Sequence, residues 1–334
     1  MKRNNFFKAV FGLLTTSALC LTGCSGGIFT FFVYNYDNAD KYTAGDREIT
    51  DKITTINIDY VSGDVKFRGT DSDKVTIKET ANTTLSEEHK VHTWVDGSTL
   101  YVRFCASTKK ISFFKIEKDL EITVPGSQTL ENLTVKVSSG NMDFSGFKTD
   151  KLIARSSSGD VGFSCTASEA EVKASSGKIG FTQEGDGKSI DISSSSGGVA
   201  VRQKGSIDSL KINSSSGSID ALLDKAASVD VHASSGNISV EAEEITDLKS
   251  SASSGHNEFR LGKAPKTSDI HSSSGYVKIF VPEDSDLTVH PHISSGELNY
   301  ELPFSKNGKD YVNGNGSNEM TIRVSSGDVS INKI

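Results

Sequence analysis

Apolar and polar residues alternate in short bursts along most of this chain, and the bursts recur at a nearly fixed spacing. Ile190 and Ile192, Leu210 and Ile212, and Val229 and Val231 stand seven and five residues before a glycine. Val161 and Phe163, Ile179 and Phe181, and Val277 and Ile279 stand two and four after one. Period-two alternation marks a strand with one buried face, so each burst predicts a strand of about four or five residues.

The glycines themselves form a series: Gly63, Gly140, Gly159, Gly177, Gly197, Gly217, Gly236, Gly255, Gly275, Gly296 and Gly327, each behind a serine and all but the first behind two. From Gly140 to Gly296 the steps are 19, 18, 20, 20, 19, 19, 20 and 21 residues. Self-similarity at such a period predicts a stacked repeat. The inward positions are odd before the glycine and even after it, so one residue is spent in changing phase. That predicts a corner, with glycine supplying positive φ. Continuing the odd series places the preceding serine inward (Ser158, Ser176, Ser196, Ser216, Ser235, Ser254), where stacking would line the hydroxyls into a column. Each repeat is then strand, Ser-Ser-Gly corner, strand and a looser connector of about seven residues. The predicted fold is all-β: one elongated β-solenoid, a single-stranded β-helix of about 20-residue coils.

Composition agrees, since apolar residues make up 35%, below the usual ~45–50% of a globular core. The expected organisation is a membrane-proximal segment over 24–48 and a solenoid over 49–334. Irregular insertions are expected near 75–104 and 303–318. Lys2, Arg3 and Lys8 precede an uncharged apolar run, and Leu21-Thr22-Gly23-Cys24 looks like a lipobox. Two readings stand: a signal peptide over 1–23 with lipid on Cys24, or a signal-anchor helix over 9–36, because the chain stays uncharged until Asp37. Both place the bulk on the extracytoplasmic face of a bacterial cell membrane, held there by lipid or by helix. Formal charge is −7 for the chain and −10 without Lys2, Arg3 and Lys8. That balance disfavours a nucleic-acid partner and leaves an envelope glycan or surface protein as the expected one. Cys105 and Cys165 could pair in an oxidising compartment, or stay separate.

Candidate chemistry is sparse. Gly187-Lys188-Ser189 ends like a phosphate-binding loop but has Thr182 where the first glycine belongs. Gly23-Cys24-Ser25-Gly26-Gly27 matches a nucleophile elbow only by overlapping the lipobox. His89 with His92, and His290 with His292, are short of a metal-ligand set. The residue after the glycine varies too much for a calcium ladder and reads as solvent-facing. No cofactor, metal site or catalytic residue is assigned. The two lapses in the repeat hold the aromatic candidates for ligand contact: Trp94, Phe113, Phe114, Phe304 and Tyr311. Their structural alternative is packing that caps the solenoid ends.

The Ser-Ser-Gly-Asp-Val frames at Gly159 and Gly327, Leu120-Glu121-Ile122-Thr123-Val124-Pro125 and Val277-Lys278-Ile279-Phe280-Val281-Pro282 resemble the bacterial DUF4097-type family, whose members are labelled putative adhesins. The resemblance covers roughly Ile49 to Ile334. It implies a glycine-centred β-solenoid and brings no catalytic residues. The expected function is a membrane-tethered binding, adhesion or structural module rather than an enzyme. A glycan-active enzyme on the same scaffold, and an accessory subunit of an envelope stress or transport system, are the alternatives.

Overall fold

In-register parallel pairing explains the period. The computed structural model describes residues 32–111 and 117–334, and Val161, Ile179, Val199, Ile219, Ile238, Asn257, Val277 and Val329 sit beside one another on successive strands. Each position of the repeat therefore becomes a row along the solenoid axis. Two positions further on, Phe67, Phe144, Phe163 and Phe181 stack inside the coils with ring centroids 5.2, 5.0 and 6.1 Å apart. The chain is a β-solenoid whose narrow core is made of such columns.

The strands are longer than the alternation predicts. Met142–Ser158, Ile219–Ser235 and Ile238–Ser254 each run 17 residues, because the connectors pair with neighbouring coils as well. In one coil the buried residues are Ile219, Ala221, Leu223, Ala226, Val229, Val231 and Ala233. The two steps of three are phase slips that break the apparent periodicity, and at the first of them the ladder to the preceding coil shifts register between Gln203 and Ser206 before pairing resumes.

The serine column also differs from expectation. Ser158, Ser176, Ser196, Ser216, Ser235 and Ser254 are all exposed. The inward series stops three residues before the glycine, at Ser156, Ala174, Ser194, Ser214, Ala233, Ala252 and Ser272, and resumes two after it. The corner thus occupies four residues, and its hydroxyls remain in water instead of incurring the cost of burial.

Glycine is required there for a second reason besides φ. At Gly159, with φ +112°, an added Cβ would lie 2.1 Å from the Gly140 carbonyl oxygen; at Gly197, whose φ is not in the left-handed region, it would lie 1.7 Å from that of Gly177. The corners stack backbone on backbone. Gly197 and Gly217 also donate their N–H to the hydroxyls of Ser194 and Ser214 in their own coil, at 3.0 and 2.9 Å. Gly140 and Gly275 donate instead to serine carbonyls of the next coil. Outside the glycine row, the Oδ1 atoms of Asp64, Asn141 and Asp160 accept the backbone N–H of Asn141, Asp160 and Lys178 at 2.9, 2.9 and 2.8 Å. The position read as merely solvent-facing ties coil to coil wherever it is Asp or Asn.

Both ends close by leaving the sequential order. Gly63 and Gly140 are 77 residues apart in sequence, yet their coils are neighbours, with Thr55–Ser62 paired to Thr129–Ser139. The intervening chain passes outward. Thr99–Arg103 extends the stack in parallel beside Thr55–Ser62, and His92–Asp96 returns antiparallel around the Asp96-Gly97 turn. At the far end Leu287–Ile293 forms the outermost coil, and Asn318–Ser326 comes back to lie between it and Thr267–Ser274. The hairpin of Ser305–Asn307 and Asp310–Asn313 then covers that last strand antiparallel. Covered edges resist edge-to-edge aggregation.

Cys105 and Cys165 are separate, buried thiols. Burial pushes them up to about 11 and about 12 respectively, so both stay protonated and inert.

Candidate functional site: the lateral face of the stack

The sequence-predicted aromatic residues go to opposite ends. Trp94 stacks on Tyr101 (5.2 Å between centroids) and meets Tyr42 (5.7 Å), with the Lys41 ammonium 5.0 Å from its ring. Arg103 lies beneath the Tyr36, Tyr42 and Tyr101 rings and donates to the Asn57 side chain at 2.9 Å. Phe304 and Tyr311 pack with Tyr300 at the other end and lean on the core. Each group therefore caps an end of the solenoid as well as presenting a half-open aromatic surface. Cys24, Phe113 and Phe114, with the signal segment and residues 9–31 of the anchor segment, lie outside the described residues. The rest of that segment is not helix, since Phe32–Tyr34 is a strand paired antiparallel with Lys109–Ile111 and Tyr34 is buried in the core.

His290 and His292 share a strand face, but the His290 ring nitrogens are taken by Asp310 (2.8 Å) and Glu319 (2.6 Å). His89 bonds Ser86 and His92 bonds the Lys90 carbonyl. Among the described residues no cluster of three or more His, Cys, Asp or Glu is arranged to hold a metal ion.

A different surface emerges from the rows. Four residues before each glycine the side chain points outward, and in-register pairing sets Lys136, Arg155 and Lys173 side by side, followed by Ser193 and Asn213. Two residues before the glycine the outward row is Ser157, Ser175, Ser195 and Ser215. Between the rows runs an open groove of about 450 Å³ whose lining contains three cations, a series of hydroxyls, Asn213 and no carboxylate. Glu171, on the flank away from the serines, accepts from Lys173 at 2.7 Å and Arg155 at 3.0 Å. The Lys173 hydrogen bond, with Arg155 adding to it, holds that carboxyl below the usual range. Lys136 makes no ion pair among the described residues and faces Asp59 across the strand pair.

Further along the same face lies a second groove of about 350 Å³, lined by Asp230, Lys249, Ser251, Asp269, His271 and Arg323 among others. Here the row six before the glycine alternates Asp230, Lys249, Asp269, and Arg323 pairs with Asp269. The scaffold is the same, but the charges cancel.

The cationic row has no mark within any one repeat, where alternation shows only strands; it appears when the position four before the glycine is followed from coil to coil. Neighbouring coils then supply what no single motif contains.

A β-solenoid with glycine-stacked corners and capped ends is the class of protein these features define. The chain belongs to the Toastrack DUF4097 family, whose model matches residues 53–256 and 167–332. No curated protein matches it. Among solved structures it is similar to a putative adhesin from Parabacteroides distasonis (16% identity, 88% of this chain and 97% of that one, TM-score 0.39). A putative adhesin from Parabacteroides merdae gives 15%, 88%, 96% and 0.39 on the same measures. A putative lipid binding protein from Parabacteroides distasonis gives 20%, 87%, 97% and 0.36.

Proposed function

We propose that this chain is a membrane-tethered, extracytoplasmic binding module of the bacterial cell envelope, acting in adhesion or envelope structure. One observation carries the reading: parallel register turns single residues into rows, and a rigid row presents many weak contacts at one spacing along an axis. Contacts so arranged reinforce one another once the first is made. The carboxylate-free groove supports binding over glycan cleavage, which calls for a pair of carboxyl groups flanking the scissile bond. The adhesin names of the similar structures point the same way without adding a mechanism. Lipid on Cys24, or an anchor helix that ends before the Phe32–Tyr34 strand, would supply the tether.

The test is to incubate the full chain, purified in non-ionic detergent, with fractionated envelope glycans and envelope proteins while recording retention and product release. Retention of a glycan or protein without shortened product is expected. Released fragments would replace the module with an enzyme, and a membrane-extracted mass without lipid on Cys24 but with an intact Met1 end would favour the anchor.

A further inference from the structure

We infer that the groove beside Lys136, Arg155 and Lys173 is a site for an anionic glycan, a hydroxyl-rich polymer carrying carboxylate or phosphate groups. The inference rests on the binding-module reading and names the ligand for one of its faces.

Three like charges sit in register on adjacent parallel strands, Lys136 beside Arg155 beside Lys173. Adjacent strands lie about 4.7–4.9 Å apart, so the row concentrates its charge within about 10 Å. Like charges directly opposite each other destabilise a sheet. A row serving stability alone would alternate in sign, as Asp230, Lys249 and Asp269 do on the same face of the same solenoid. The cationic row has only Glu171 bonded within it, and that carboxylate lies on the flank away from the groove. Asp59 stands directly opposite Lys136 at the start of the same row, and Asp191 beside Glu171, but neither lines the groove. The local charge runs against a chain whose formal net charge is −7. An oxyanion in the groove would remove the repulsion and bond ammonium and guanidinium groups left half open, with side chains 49% exposed at Lys173 and 54% at Arg155.

The opposite wall selects among polyanions. Ser157, Ser175 and Ser195 present one hydroxyl per coil, and each can donate and accept. A polyol or sugar between the charged groups answers both roles, whereas a bare anionic chain can only accept. The groove is open along the coil axis, so a polymer can lie across successive coils and gain from each.

Binding is measured by calorimetry on the full chain in non-ionic detergent. The probes are polygalacturonate for the carboxylate form, poly(glycerol phosphate) for the phosphate form, neutral dextran, and single-stranded DNA of matched charge. At least one of the first two should bind, weaken as salt rises, and exceed both dextran and DNA. Arg155→Glu should weaken it about tenfold or more, Arg155→Lys much less, and Lys249→Ala in the balanced groove less than about twofold. Unfolding midpoints of the variants control for the fold, which exposed side chains leave intact. Equal affinity for DNA would overturn hydroxyl recognition, and equal losses from Arg155→Glu and Lys249→Ala would overturn the site. If neither anionic polymer binds while another envelope component is retained, this inference fails and the binding-module reading survives. Retention of nothing sinks both.

Discussion

The two ends of the solenoid face one problem, an open row of strand hydrogen-bonding groups, and meet it with opposite chemistry. At the amino-terminal end Lys118 and Glu79 form a buried ion pair of 2.7 Å, with side chains 1% and 4% exposed. The Lys118 ammonium also donates to the carbonyls of His89 (2.6 Å) and Phe104, and lies 4.1 Å from the Phe104 ring. Glu79 accepts from the Tyr60 hydroxyl and the Val91 amide. Burial pulls the Lys118 pKa down and Glu79 opposes it, so the charged state is held by a closed set of partners. At the carboxyl-terminal end, hydrogen bonds from Asn313 and a solvent-facing histidine hold a hairpin. One end is locked by desolvated charge, and the other is latched in water.

The largest expected effect breaks the buried lock. Lys118→Ala leaves Glu79 buried without its cation, which costs about 3–5 kcal/mol, and the loss should appear in the urea unfolding of the end that contains Trp94. Replacing both partners, Lys118→Met with Glu79→Gln, should recover much of it, because the main penalty is the stranded charge. If Lys118→Ala unfolds at the wild-type midpoint, the ion pair does not hold this end.

The next effect tests the other end. Asn313 is buried, and its side-chain amide donates to the carbonyls of Glu283 (2.9 Å) and Ser285 (2.8 Å). Asn313→Ala strands both acceptors and should cost about 1–3 kcal/mol. Proteolytic cutting within Ser305–Asn313 should accelerate while the Trp94 fluorescence transition stays in place. A shift of both together would show that the ends unfold as one unit, and the contrast between them would lose its meaning.

How much could be read from the chain follows from the same geometry. Ile190 with Ile192, and Val161 with Phe163, revealed strands because their alternation is local. The step of about 20 residues revealed stacking because every coil must repeat the same corner. The inward serine was misplaced by two positions because alternation says nothing about how many residues a corner holds out in water. The lapses at Val75–Phe104 and Pro303–Asn318 were visible as lapses, but their role as caps depends on chain reversal, which has no local mark. Lys136, Arg155 and Lys173 belong to three different repeats. They become a site only through register, and register depends on where each corner begins. The Glu79–Lys118 pair was hidden for a further reason: in sequence both look like ordinary charged strand residues, and only burial distinguishes them.

The smallest effect concerns the exposed latch, and it is read through mild pH. His290 joins Asp310 of the covering hairpin to Glu319 of the returning strand, and the hydrogen bond to Glu319, then that to Asp310, raise its pKa above the ordinary imidazole value. A folded-state pKa above the unfolded one means that the protonated latch stabilises the fold in full below the unfolded value of about 6.5. That contribution disappears as pH rises through the raised folded value, where a neutral ring leaves the two carboxylates without a cation between them. Because the site is largely exposed, the gain is no more than about 1 kcal/mol. The stability difference between the parent chain and His290→Gln should therefore be greatest near pH 6 and fade toward pH 9. Added salt should shrink it, while the Lys118 end should not weaken as pH rises, because a buried ammonium whose pKa is pulled down gives any pH response there the opposite sign. A His290→Gln difference that grows with pH would reverse the assignment of the latch, and a matching pH response at the Trp94 end would erase the distinction between locked and latched ends.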